Sequence, residues 1–261
     1  MPQPSATDVF VDEVLTNISI AYIQDSADFI AGDVFPSVPV EQESGKYFTF
    51  TKADWFRDES QRRGDAEESA GSGYNLSTAS FNCDVFSIHK DVGKLAKANS
   101  KAPIDWRRNA TQFVTQRQLL RKEIQWVADC FATSVWDTDK TVSSTWDDFS
   151  NSDPIGDIAT GKKTILQNTG FLPNTLVLGY DVWEKLENHP DIVARMGANN
   201  DAIVSEEFLA RVLKVPRVLV AKAVKNSAVE NATASYAFTH GKNALLCYSN
   251  PAPAVEMPSA G

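Results

Sequence analysis

The sequence predicts an α+β fold, and three observations support this. After Gly45, apolar and polar side chains alternate along two strand-like stretches. From 104 to 136, apolar residues recur every three or four positions with no Gly or Pro, a pattern typical of one long helix. Between 153 and 221, helix-capping signals alternate with short apolar runs, which indicates a compact region of mixed helices and strands.

The first ~32 residues predict a short helix in an N-terminal arm, because apolar side chains from Val9 to Tyr22 recur at helical spacing. Residues 33–40 contain two prolines, which fix φ and remove amide donors. This favours an extended segment at a sheet edge or along another surface, and no helix is expected there.

Residues 41–100 are expected to form two long strands joined by a polar, glycine-rich loop. Phe48 and Phe50 alternate along the first strand, and Phe81, Cys83 and Val85 along the second. A two-stranded ribbon is marginal alone, since ordering costs ~1–2 kcal/mol per residue and one hairpin buries little surface to offset it. We therefore expect this region to need an outside surface.

The long helix over 104–136 has Asp105 as its expected N-cap, and the roughly 31 residues after this cap give a length of about 46 Å at 1.5 Å per residue. Its first part, up to Lys122, carries basic residues and no acid, an arrangement that its own dipole disfavours. Two interpretations stay open: a solvated basic face, or a surface covered by acidic side chains of a neighbouring copy. The basic candidates are Arg107, Arg108, Arg117 and Arg121, and the acidic candidates are Glu41, Glu43, Asp65, Glu67 and Glu68.

The region after 150 carries capping signals that set its elements. Asp153 and Gly170 bound a helix, the pair Asp181 and Glu184 resembles a capping box, and Ser205 opens a further helix. Strands are expected over 175–179, 217–221, 234–239 and 244–248.

No pattern in the sequence calls for an enzyme. The stretch from Gly156 to Thr164 nearly matches a phosphate-binding loop, but a lysine stands where the motif needs a hydroxyl, and its isoleucines favour continuous helix. His89, His189 and His240 lack the spacing of metal ligands and are expected to be structural. We expect no catalytic, cofactor or metal site.

Composition sets further limits. Of the 261 residues, 43% are hydrophobic and 23% charged, which is typical of a globular protein, and a net charge of −9 argues against a generic nucleic-acid or membrane binder. The start of the chain lacks the features of a signal peptide, so we expect a soluble protein that is not exported by that route. Cys83, Cys130 and Cys247 predict buried free thiols in a reducing cytoplasm.

Taken in order, these pieces resemble the major capsid proteins of tailed bacteriophages, which have the Hong Kong 97-type fold. The likeness covers essentially the whole chain, and the order of its motifs is more specific than any one of them. The matching stretches are 34–40, 44–47, 55–58, 176–190, 213–218, 250–253 and 258–261. Relatives usually continue beyond the last of these, so the resemblance predicts a longer natural product.

The resemblance implies a structural subunit that forms hexamers and pentamers of an icosahedral shell around double-stranded DNA. Its expected location is the virion, after assembly in the host cytoplasm. The expected partner is a further copy of the same chain, and scaffolding, portal and decoration proteins are additional candidates. The resemblance implies neither sequence-specific DNA binding nor a membrane. A cellular encapsulin-type shell is the alternative, and a nucleotide-binding enzyme using the Gly156–Thr164 stretch is a remote one.

The resemblance also divides the chain into parts. It predicts an N-terminal arm over 1–40, an extended loop over 41–100, a spine helix with peripheral domain over 101–149, an axial domain over 150–230 and a return through the peripheral domain over 231–261. Intersubunit contacts are then expected in the extended loop and on the spine helix. Besides the charged candidates above, they include Trp55, Phe56, Arg62 and Arg63.

Overall fold

The computed structural model describes residues 23–35, 37–98, 106–136, 138–140, 144–196 and 203–251, with the backbone alone at 96 and 97. The expected arm helix between Val9 and Tyr22 and the expected cap Asp105 lie outside these residues. The chain divides into two units, one of them Val38–Phe86 and the other comprising the remaining residues.

The described elements follow one another along the chain as short helices, a hairpin, one long helix and a mixed region. They are α1 (Ala31–Val34), β1 (Ser44–Phe50), α2 (Lys52–Trp55), β2 (Leu76–Asn82), α3 (Lys94–Ala98), α4 (Trp106–Cys130), α5 (Pro154–Thr169), β3 (Thr175–Gly179), α6 (Tyr180–Glu187), α7 (Pro190–Val193), α8 (Glu206–Leu213), β4 (Arg217–Ala221), β5 (Val224–Asn226), β6 (Tyr236–Phe238) and β7 (Ala244–Cys247).

The smaller unit is the ribbon, residues 38–86, in which β1 and β2 pair antiparallel. Ser44 lies opposite Asn82 and Phe50 opposite Leu76, which confirms the two predicted strands. The second strand ends earlier than predicted, because β1 begins at Ser44 and offers no residue opposite those after Cys83. Val85, which the alternation placed in the strand, is 85% exposed.

The larger unit is built on a three-stranded sheet in the order β4-β3-β7. β3 lies in the centre, parallel to β4 and antiparallel to β7, and all five of its residues are buried. Leu176 and Leu178 point into a cluster formed with α5, α6 and α8. Val177 points to the opposite face, where Ile30 of the N-terminal segment and Trp126 of α4 belong to its cluster.

Local capping signals in this unit are confirmed. The Asp153 side chain accepts a hydrogen bond from the Gly156 amide at 2.8 Å, and Gly170 ends α5 with φ 78°. Ser205 caps α8 by accepting from the Phe208 amide at 3.2 Å. The predicted strands at 175–179 and 217–221 are present with those bounds.

The predicted capping box of Asp181 and Glu184 is wrong. α6 begins at Tyr180, directly after β3, and its N-cap is Gly179, which has no side chain to accept a hydrogen bond. A Cβ at Gly179 would lie 2.0 Å from the carbonyl oxygen of Gly241, so this close approach requires glycine. The strand therefore passes into the helix without a polar cap.

The long helix ends at Cys130, short of the predicted 136, and spans 25 residues. The Trp136 Nε1 donates to the Cys130 carbonyl oxygen at 2.6 Å, which satisfies an acceptor left open at the helix end. Ser134 has φ 65°, a left-handed conformation that a helix does not contain.

Two further differences concern short elements. α1 includes Asp33 and Val34, where no helix was expected, and it begins where the Glu123 carboxylate accepts from the Ile30 and Ala31 amides. The hairpin strand β5 was not anticipated, although its partner β6 lies within the predicted 234–239 strand.

Candidate intersubunit surfaces

Three aromatic rings form an exposed cluster at one end of the ribbon, here called the ring platform: Phe50, Trp55 and Tyr74. Their centroids lie 5.7 Å apart for Phe50–Trp55, 5.7 Å for Phe50–Tyr74 and 5.8 Å for Trp55–Tyr74. Each is more than half exposed, at 54%, 63% and 62%. Monomeric proteins rarely leave such a contiguous apolar surface open, so the platform has the character of a binding surface.

The loop next to the platform is held by polar contacts. Asp54 Oδ2 accepts from the backbone amide of Asn75 at 2.9 Å and from its side-chain amide at 3.1 Å. Arg57 lies 3.6 Å from Asp54 and 3.0 Å from Glu59. These bonds connect residues on either side of the loop and keep the rings at its base in place.

The predicted contact residues of the ribbon are exposed. Trp55 belongs to the platform, and Phe56 is 67% exposed with the Lys52 ammonium 5.3 Å from its ring centroid. Sequence reasoning missed Phe50 and Tyr74 as partners of Trp55, because only the pairing of β1 with β2 brings them together. The charged candidates that also lie exposed on the ribbon are Glu41, Glu43, Arg62, Arg63, Asp65, Glu67 and Glu68.

The first part of α4 carries the predicted basic face. Arg107, Arg108, Arg117 and Arg121 are all exposed. The Arg117 guanidinium lies 5.1 Å from the Phe113 ring centroid, and Phe113 itself is 44% exposed. Glu123 is the one residue of this helix that is buried, so α4 offers an extended surface that is both basic and aromatic.

Ser152 and His189 form a buried polar group that, together with Asp191, contains the residue types of a catalytic triad. Ser152 Oγ is 3.0 Å from His189 Nε2, and His189 Nδ1 is 3.8 Å from Asp191 Oδ2. However, the serine hydroxyl donates to the Asp148 carbonyl oxygen at 2.7 Å, and His189 Nδ1 accepts from the Asp191 amide. The imidazole proton therefore sits on Nε2, the reverse of what a triad requires.

His189 is the N-cap of α7, where its Nδ1 accepts from the Asp191 amide. His89 is exposed and lies 3.7 Å from Asp91. Among the cysteines, Cys247 is buried and Cys130 half-buried, whereas Cys83 is exposed, which corrects the prediction of three buried thiols. Cys83 lies at the end of the ribbon, where no core covers it.

A second buried polar group joins α4 to two other segments at Glu123 and His240. Glu123 is 1% exposed and accepts from the amides of Ile30 at 3.3 Å and Ala31 at 3.0 Å. His240 Nε2 lies 3.4 Å from Glu123 Oε1. Burial raises the pKa of Glu123, although the two amide bonds oppose this, and burial lowers the pKa of His240 to about 4.

The stretch resembling a phosphate-binding loop lies wholly within α5 and forms no loop. Its Lys162 ammonium donates instead to the carbonyl oxygens of Leu213 and Lys214. Within the described ranges, no group of three His, Cys, Asp or Glu side chains is placed to hold a metal ion.

Comparison with known proteins gives a sequence relative and structural neighbours. No protein-family model matches the chain. The major capsid protein of Burkholderia phage BcepMu is 28% identical over 218 residues, which cover 82% of this chain and 69% of that protein.

Among solved structures, a phage-related protein from Bordetella bronchiseptica RB50 matches with a TM-score of 0.67 and 23% identity, over 90% of this chain and 77% of that one. A chain from Microbacterium phage Oxtober96 matches with a TM-score of 0.50 and 14% identity, over 79% of this chain and 68% of that one. At these identities the structures show a shared mixed helix-and-sheet fold, whereas the sequence match confirms the predicted resemblance: the chain is a relative of a bacteriophage major capsid protein.

Proposed function

We propose that this chain is a structural subunit that self-assembles into the icosahedral head of a tailed bacteriophage. Hexamers and pentamers of the subunit form the shell, and the shell encloses double-stranded DNA. The sequence similarity to the BcepMu major capsid protein supports the capsid role. In the Hong Kong 97-type arrangement, 1–40 is the arm, 41–100 the extended loop and 150–230 the axial domain, with 231–261 returning through the peripheral domain after the spine helix.

The observation that carries this proposal is the exposure of the ribbon. Phe48, Phe50, Trp55, Phe56 and Tyr74 each leave more than half of their surface open to water. A hairpin that presents its large apolar side chains to solvent gains little from burial within one copy. An oligomeric shell gives each ribbon a neighbouring subunit to cover it.

The basic face of α4 is the proposed surface on that neighbour. Acidic side chains on the ribbon, such as Glu41, Glu43 and Glu68, would lie over Arg107 and Arg108 and offset a positive charge that the helix dipole disfavours. The exposed Phe113 would at the same time give aromatic contact.

The balance of charge fits a container for DNA. A subunit with net charge −9 does not bind a polyanion through general electrostatic attraction, so the shell can take up and later release its genome. No described helix is both long enough and apolar enough to cross a lipid bilayer.

Size-exclusion chromatography with negative-stain electron microscopy tests the proposal. Wild-type protein should form rings or shells, and Trp55→Ser with Phe56→Ser should remain subunits with an unchanged circular dichroism spectrum. The matched control is Val229→Ser, which removes a side chain that is 77% exposed in the larger unit. Wild-type protein that stays monomeric at all concentrations would contradict the proposal, and shells that enclose protein but no DNA in the host would favour the encapsulin-type alternative.

A further inference from the structure

Residues 23–35, here called the strap, run across the larger unit with little secondary structure of their own. The strap holds one 3-10 turn, Ser26–Asp28, and the four-residue helix α1. Its attachment therefore depends on contacts with other parts of the unit, and these come from three places that are far apart in sequence.

Polar contacts fix the strap at each end. The Gln24 side chain donates to the Val224 carbonyl oxygen at 2.7 Å and accepts from the Val224 amide at 2.8 Å, so it pairs with β5 as another strand would. Ser249, after β7, donates to the Val34 carbonyl oxygen at 2.6 Å. Each contact uses a single side chain, and the Gln24 contact is only partly buried.

Apolar contacts fix the C-terminal half of the strap. Ile30 and Val34 are 3% and 0% exposed, in one cluster with Val177 and Cys247 of the sheet. The half-buried Trp126 of α4 packs against the same cluster. The strap thus covers one face of the sheet, and the Cys247 thiol lies within that face.

Two buried groups bear on the closed position of the strap. Glu123 holds the strap, because its carboxylate accepts from the Ile30 and Ala31 amides, but its burial also raises its pKa, which marks a cost for keeping the carboxylate away from water. His240 Nε2 is also buried, and it lies 3.4 Å from Glu123 Oε1 without forming a hydrogen bond to any described residue. Water would hydrate both groups if the strap lifted, so the favourable apolar contacts are partly offset.

We infer that the strap is a releasable element, which opens as one unit while the sheet and α5, α6 and α8 stay folded. Opening uncovers Trp126 and Cys247 and frees the Glu123 carboxylate. In sequence the strap leads directly into the ribbon, so its release lengthens the free chain before the ribbon. A role for this longer free segment in assembly rests on the proposed function, whereas the opening itself does not.

Thiol labelling of the unassembled full chain tests the inference. A small maleimide is added under native conditions, and labelling of each cysteine is followed by peptide mass spectrometry. Exposed Cys83 reports the chemical reactivity of the reagent, and buried Cys247 reports opening. The test variant is Gln24→Ala, which removes two strap bonds at β5, in a different sheet from Cys247.

The expected result is that Gln24→Ala labels Cys247 about fivefold faster or more, relative to Cys83. The matched control is Ser205→Ala, which removes the cap of α8 and lowers global stability by a similar amount without touching the strap. Equal acceleration in both variants would mean that Cys247 reacts through global unfolding, and no acceleration in Gln24→Ala would mean that the strap does not move as a unit. Either result overturns the inference, and neither bears on whether the subunits form shells.

Discussion

The Lys162 ammonium on α5 lies 3.0 Å from the carbonyl oxygen of Leu213 and 2.7 Å from that of Lys214, and it thereby caps the C-terminal end of α8. The cation meets the negative end of the helix dipole as well as two carbonyl groups. A lysine that looks in sequence like part of a nucleotide site is therefore a connection between two helices.

Lys162→Ala should lower the free energy of unfolding by about 1–2 kcal/mol, because two charge-assisted hydrogen bonds are lost. Urea denaturation followed by circular dichroism measures this change. Lys163→Ala, at the exposed neighbouring position, is the control and should change stability little. ATP binding by the wild type that disappears in Lys162→Ala would contradict the structural role.

Reversal of charge at Arg107 and Arg108 to Glu should weaken assembly, since both lie on the proposed contact face of α4. The defect should be largest at low salt, where charge interactions act over the longest range. Light scattering of assembly at several salt concentrations measures it. The double variant Lys163→Glu with Arg211→Glu makes the same change of charge on α5 and α8, and equal defects in the two proteins would argue against a specific contact.

Stability should fall in acid because of His240, whose pKa burial lowers from 6.5 to about 4. Above about pH 6.5 the ring is neutral in both states, whereas between 6.5 and 4 only the unfolded chain takes up the proton, so folding loses on the order of 3 kcal/mol. Glu123 acts in the opposite direction, because its raised pKa lets the folded state bind a proton first.

Urea denaturation at a series of pH values should therefore show a smaller acid loss in His240→Gln than in the wild type. His89→Gln is the control, since the His89 side chain is 88% exposed. An unchanged pH profile in His240→Gln would show that the ring does not stay neutral on folding.

Asp54→Ala should loosen the ribbon loop without unfolding β1 and β2. The variant removes the acceptor for both the backbone and the side-chain amide of Asn75, so hydrogen exchange at the Asn75 amide should accelerate about fivefold or more. Asp58→Ala is the matched control, because the Asp58 carboxylate accepts from the nearby Ser60 amide and not from Asn75. Equal protection of Asn75 in all three proteins would exclude Asp54 as the residue that holds the loop.

The sequence predicts those features whose causes are local. Asp153, Gly170 and Ser205 act on amides or dihedrals within a few residues, so the sequence alone predicts the helices that they bound. The sequence also predicts the strands over 175–179 and 217–221, because their apolar residues form short continuous runs.

Features with distant causes were missed. α1 begins where the carboxylate of Glu123, 92 residues from Ala31, accepts its first amides. The ring platform exists because Phe50 and Tyr74 meet only after the ribbon pairs. The basic charge and the exposure of α4 can be predicted from the sequence. The burial of Glu123 within the same helix cannot, since it depends on contacts with the strap and with His240.

The bond between Ser249 and Val34 joins residues 215 positions apart, and this has a consequence for synthesis on the ribosome. Ile30 and Val34 are made early, but their binding face needs Leu245 and Cys247 of β7. Until that strand emerges and pairs with β3, the early residues have nowhere to be buried. The apolar segment around Ile30 and Val34 therefore lacks its buried environment through most of translation, a period in which exposed apolar surface favours aggregation.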